Sequence, residues 1–127
     1  MQTKAFNAPD APQPPSRYAQ AIEMSGFKRL LVISGQIPVA LDGSVPADFE
    51  GQCRLAWANI EAQLRAAGMT IENLVKVTIF LSDRRYAMET RRIRQEVLGA
   101  HSVALTLIIT GIFDEAWLLE IEALAAE

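Results

Sequence analysis

The segment Val103 to Ile109 limits the possible folds more than any other stretch of the chain. Leu105, Leu107 and Ile109 alternate with Ala104, Thr106 and Ile108, so a strand here is apolar on both faces. Such a strand needs cover on both sides. Trp117 to Ala125 poses a similar problem, with Trp117, Leu119, Ile121 and Ala123 on one face and Leu118, Glu120, Glu122 and Leu124 on the other. Part of the cover comes from helices. Phe49, Cys53, Ala56, Ile60, Leu64 and Ala67 recur at steps of three and four opposite Glu50, Arg54, Glu61 and Arg65, and Gly68 supplies a stop. A second helix fits Tyr86, Thr90, Ile93 and Val97 inward with Arg84, Arg91, Arg92 and Gln95 outward, ending at Gly99. Two helices cover one sheet face only. Because monomers rarely expose apolar patches of more than a few hundred Å², the second face predicts another subunit, and the chain reads as an α+β domain that forms a homo-oligomer.

The remaining segments fill in the order. Val75, Val77, Ile79 and Leu81 alternate with Lys76, Thr78 and Phe80, which predicts a strand between the helices. Tyr18 to Met24 and Arg29 to Ser34 flank Ser25-Gly26 and read as an antiparallel hairpin. Pro9, Pro12, Pro14 and Pro15 predict an extended or mobile lead-in over residues 1 to 15, with the ordered domain starting near Arg17. At 127 residues, half of them hydrophobic, the chain is one domain with a real core. Cys53 is the single cysteine, which excludes an intrachain disulfide and fits a reducing compartment, the cytoplasm by default. The start carries no apolar signal-like stretch, and no run is long enough to span a membrane. A net charge of -3 argues against a general nucleic-acid surface. One His and one Cys exclude a zinc site of the usual kind.

An ordered set of short motifs runs along the chain: Ala8-Pro9, Tyr18-Ala19-Gln20-Ala21-Ile22, Ser34-Gly35-Gln36-Ile37-Pro38, Asn59, Ala67-Gly68, Val75-Lys76-Val77-Thr78, Leu98-Gly99 and Glu120-Ile121-Glu122-Ala123. The set resembles the RidA/YjgF superfamily and covers almost the whole chain. That resemblance implies a chorismate-mutase-like fold, a mixed sheet backed by two helices on one face. It also implies a homotrimer with a small-molecule cleft at each subunit boundary and no metal or organic cofactor. The best-known members hydrolyse enamines and imines to a keto acid and ammonia, gripping the substrate carboxylate with an arginine on the penultimate strand.

This chain departs from that pattern. Counting back from Glu120 without gaps, the arginine position holds Leu105, and Leu107 stands where the deaminases often have a cysteine. A charge-assisted bond contributes about 1.5 to 3 kcal/mol, so its loss predicts carboxylate binding weaker by roughly ten- to hundredfold. The expected cleft prefers a neutral or more apolar ligand. Arg94, one turn beyond Thr90, is placed to swing a guanidinium toward the cleft and restore the clamp, unless it points to bulk solvent.

The resemblance gives Glu120 the role of placing the attacking water, and its apolar neighbours Leu118 and Leu119 suit acid–base work; a structural carboxylate at the subunit boundary is the alternative. Gly35, beside Ser34 and Gln36, lets backbone approach a ligand, or else it serves the conformation of a strand exit. Tyr18 lines the cleft or packs at a strand start. Thr90 occupies the place of an asparagine common in the family. Trp117 walls the cleft or anchors an interface. The run Arg84, Arg85, Arg91, Arg92 and Arg94 reads as a solvated face paired with Glu89 and Glu96, with phosphate or RNA binding as the alternative. Cys53 reads as inert packing, and His101 has no acid nearby in sequence. Three function classes stay open: a hydrolase or deaminase using Glu120 and water, a non-catalytic metabolite-binding trimer, and an interaction or holdase-like protein.

Overall fold

The computed structural model describes all residues, 1–127. Two short strands, β1 (Gln2–Phe6) and β2 (Ala21–Ser25), pair antiparallel as a separate ribbon. A four-stranded sheet carries the rest: β3 (Leu30–Gln36), β4 (Leu74–Leu81), β5 (Ala104–Ile109) and β6 (Leu119–Ala126), in the order β3-β6-β4-β5. β6 runs antiparallel to both β3 and β4, whereas β4 and β5 are parallel. Helices α1 (Phe49–Ala66) and α2 (Ala87–Leu98) make the mixed α+β domain that the sequence predicts.

A capping aspartate begins α1, and a glycine follows the end of each helix. Asp48 accepts the Gly51 amide at 3.0 Å as the N-cap of α1, and Gly68 leaves the helix at a φ of 73°. Gly99, at a φ of 59°, closes α2. Phe49, Cys53, Ala56, Ile60 and Leu64 form the buried stripe of α1, joined by Gln52 and Trp57. They meet Val77, Ile79 and Leu81 of β4 and Leu119, Ile121 and Ala123 of β6 in one continuous core. The parallel register places Leu105 and Leu107 opposite Val77 and Ile79, hence on this helix-facing side.

The other sheet face is different in kind. Phe80 stands opposite both Glu120 and Ile108, and Thr78 opposite Glu122 and Thr106, so these side chains share the face turned from the core. Val32 is 71 % exposed there and Leu30 and Ile108 nearly half, so this face is not covered within the protomer.

Three sequence expectations need correction. Residues 1–15 are not simply a lead-in, because Gln2–Phe6 is a strand paired with β2 although its exposed residues show no apolar alternation. The expected hairpin of residues 18–34 does not form as a pair: β2 takes β1 as its neighbour and β3 takes β6. The ordered domain accordingly starts well before Arg17. Residues 7–20 return toward the sheet, where the Ala19 amide donates to the Val103 carbonyl at 2.9 Å beside the first residue of β5.

Candidate functional site

The candidate residues gather in two places. The first lies on β3 and β6, where the pairing register slips by one residue between Ile33 and Gln36. This bulge holds Ser34 and Gly35. Gly35 does not have a positive φ, so conformation does not require glycine here. Space does: a Cβ at Gly35 would lie 2.7 Å from the Glu120 carboxyl carbon. Backbone and carboxylate therefore sit in direct contact, half-buried, on the open sheet face. The loop beyond is tied to α1, since the Asn59 amide donates to the carbonyls of Ile37 at 2.8 Å and Val39 at 3.1 Å. Gln36 turns back to donate to the Ser34 carbonyl at 3.0 Å and accepts from Gln63 at 3.3 Å. The motif of residues 34–38 is thus a fixed structure rather than a free loop.

The second place is a crevice of about 330 Å³ on the outer side of β5, against α2. Tyr18, Leu105 and Leu107 line it together. They are joined by Pro15, Ser16, Ala87, Met88, Arg91 and Arg94. Ser16 and Pro15 carry no sequence signal of a site, because the prolines around them indicate only a connecting segment. Arg94 does not belong to the solvated face of α2: it is only 3 % exposed. Its Nη2 donates to the Ser16 hydroxyl at 2.9 Å, its guanidinium carbon lies 5.8 Å from the centre of the Tyr18 ring, and its buried Nε–H has no partner. Burial pushes the Arg94 pKa down from its ordinary value, and neighbouring Arg91 pushes the same way.

The comparisons with known proteins point in one direction. The family model described as Endoribonuclease L-PSP matches residues 8–127. A RutC family protein of Aquifex aeolicus is 34 % identical over 110 residues, covering 86 % of each chain. The chain belongs to the Rid/YjgF family. A Rid protein of Yersinia pestis, YyfB, superposes over the full length of both chains with a TM-score of 0.85 at 24 % identity, a likeness of fold. Escherichia coli TdcF, solved with bound serine, superposes with a TM-score of 0.74 at 27 % identity over 98 % of each chain. TdcF also carries the provisional description of reactive intermediate deaminase.

In this Rid chain the two places lie on opposite faces of one sheet: Ile79 pairs with Leu107 and Ile121, whereas its neighbour Phe80 pairs with Ile108 and Glu120. One protomer of the Rid protein does not bring Glu120 and Gly35 together with Tyr18, Leu105 and Leu107. Thr90 is fully buried on α2, with its hydroxyl unpartnered, and does not line the crevice. Trp117 is half-buried beside Phe113, ring centres 6.4 Å apart. Gln52 organises the approach to β6, donating to the Ala116 carbonyl at 3.0 Å and accepting from the Leu118 amide at 2.8 Å. Cys53 is fully buried and its thiol is pushed up to about 12, which removes it as a nucleophile near neutrality. His101 sits against the Leu74 carbonyl at 2.7 Å. No three His, Cys, Asp or Glu side chains gather as a metal cluster, and no helix is long and apolar enough to cross a membrane.

The remaining arginines behave as a charged surface. Arg92 pairs with Glu96 at 3.0 Å as expected, and with Glu50 at 2.7 Å rather than with Glu89. Arg54 completes the square through Glu96 at 2.7 Å and Glu50 at 3.5 Å. Their side chains are nearly half exposed, so the network reads as a solvated seam between α1 and α2.

Proposed function

We propose that this Rid chain works as a homotrimer whose clefts each join the β5–α2 crevice of one protomer to the Gly35–Glu120 surface of the next. In that cleft an enamine or imine is hydrolysed without a cofactor. One observation carries the reading: the candidate residues occupy opposite faces of a single sheet, so only a second copy can bring them together. The exposed Val32, Leu30 and Ile108 supply an apolar area for that contact. TdcF with bound serine supports a pocket of small-molecule size in this fold.

The chemistry asks little of the protein. With the imine nitrogen protonated, Glu120 accepts a proton from water as the water oxygen bonds to the imine carbon and gives a carbinolamine; it returns that proton to the amine nitrogen, then takes the hydroxyl proton as the carbon–nitrogen bond breaks, leaving a carbonyl and ammonia. The contact with Gly35 fixes where that carboxylate sits. By the family correspondence, Leu105 removes the strand-borne arginine, so small imino acids lose their usual grip. A second reading, a metabolite-binding trimer without chemistry, draws support from the inert Cys53 and from the apolar pair Leu105 and Leu107.

Ammonia release from 2-iminopropionate and from bulkier neutral imines tests the first reading, with wild type beside Leu105→Arg and Glu120→Ala. Turnover of any imine by wild type that Glu120→Ala abolishes supports hydrolysis. Inert wild type and Leu105→Arg on every imine would leave ligand binding as the account. Light scattering tests assembly against three times the 14.0 kDa protomer mass, and Val32→Glu is expected to break it.

A further inference from the structure

We propose that Arg94, carried by α2 rather than by the sheet, is the anion-binding group of the Tyr18–Leu105–Leu107 crevice, which takes a small carboxylate with an apolar tail. The inference rests on the cleft reading above and goes further by assigning the ligand class and the residue that selects it.

A buried guanidinium normally brings its own compensation. Removing a cation from water costs several kcal/mol even after relaxation, and a structural arginine recovers that cost with a carboxylate or several carbonyl oxygens. Arg94 has neither. Among its five N–H groups one donates to an oxygen, the Ser16 hydroxyl, and no carboxylate reaches within 4.0 Å. The charged groups that act on it are Arg91 and Arg17, both of its own sign. Besides the Ser16 hydroxyl, the face of Tyr18 is the favourable partner of its charge, and at 5.8 Å it offsets a fraction of the cost.

Three features turn that deficit into a site. The unpartnered Nε–H belongs to a side chain that is 97 % buried yet lines an open crevice, so it is withheld from bulk water but not from a ligand. Arg91 lies along the same crevice and adds to its positive potential. The rest of the lining includes Leu105 and Leu107 of β5 with Ala87 and Met88 of α2, an apolar surface that accepts a short hydrocarbon chain. A planar carboxylate matches the edge of a guanidinium with two parallel hydrogen bonds, and the apolar wall disfavours a fully hydrated phosphate. The site therefore reads charge at one end and shape at the other, with Leu105 serving the tail of the ligand instead of its head.

Butanoate, butanamide and inorganic phosphate separate these features, with binding followed by the methyl NMR signals of Leu105 and Leu107. Wild type is expected to bind butanoate at least tenfold more tightly than butanamide. Arg94→Met is expected to weaken butanoate at least tenfold and leave butanamide within twofold, Arg94→Lys to retain part of the preference, and the exposed control Arg84→Met to change neither. Equal affinity for butanoate and butanamide, or undiminished butanoate binding by Arg94→Met, overturns the proposal while leaving the crevice as a ligand site. Phosphate binding more tightly than butanoate overturns the carboxylate assignment. If no probe moves either methyl signal, the proposal and the cleft reading fall together. The wild-type preference needs no variant, so the test holds even if Arg94→Met does not fold.

Discussion

The two flanks of α2 treat the same side chain in opposite ways. On the outer flank Arg92 is half exposed and shared between two glutamates, with the Glu50 and Glu96 oxygens at 2.7 and 3.0 Å. On the inner flank, two residues along, Arg94 is buried and has one neutral oxygen. Where water already solvates the charge, the protein supplies counter-ions; where burial makes the charge costly, it supplies none. Stability alone would distribute the acids the other way. The difference marks the inner arginine as one kept for what it binds rather than for what it holds together.

The largest test of that contrast adds the missing acid. Leu105→Glu puts a carboxylate into the crevice that Arg94 lines, and the pair is expected to be tolerated. In an Arg94→Met background the same glutamate is left alone, with an expected loss of about 3 to 5 kcal/mol. Urea unfolding of the four proteins gives the coupling directly. Next in size, Arg94→Met alone is expected to raise stability, by up to about 1 to 4 kcal/mol if it follows the range seen when buried ion pairs are replaced by well-packed apolar side chains. A lower melting temperature instead would show that Arg94 is structural. Thr90→Val, one turn earlier on the same flank, removes a buried hydroxyl without a partner and is expected to stabilise by about 1 kcal/mol.

The smallest effect belongs to the outer flank. Arg92→Ala is expected to leave the melting temperature near that of wild type, because exposed ion pairs contribute little. Its signature is in pH. Hydrogen bonds from Arg92 and Arg54 hold the Glu50 and Glu96 carboxyls below the ordinary value. A carboxyl depressed in the folded state stabilises above its unfolded pKa, and that contribution fades as pH falls from about 4.5 through the folded value. Wild type and Arg92→Ala should therefore converge in acid and differ most near neutrality, where melts across pH would show it.

Much of the fold is legible in the residue pattern, and the reasons for its gaps are physical. Strands β4, β5 and β6 and both helices follow from apolar periodicity because their side chains meet one core, Val77 to Leu81 being the clearest case. β1 was hidden because all five of its residues are exposed, so no burial pattern distinguishes it. The partner of β2 is not legible because Ser25-Gly26 marks a turn without saying which strands pair across it. At the site, the sequence groups Tyr18 with Leu105 and Leu107, and Gly35 with Glu120, only through family resemblance. The contact that explains Gly35 is a distance across strands that no local pattern encodes. Arg94 was legible as a position one turn from Thr90, yet its burial without a counter-ion depends on residues 15–18 folding back over it.

That fold-back has a consequence for how the molecule meets others. An outermost strand with free amides and carbonyls invites another strand to add on and grow a continuous ribbon of molecules. Here Ala19 occupies the Val103 carbonyl just where the edge strand β5 begins. With the Val103 rung taken, a strand adding to the free edge of β5 has a poor starting point at its first residue.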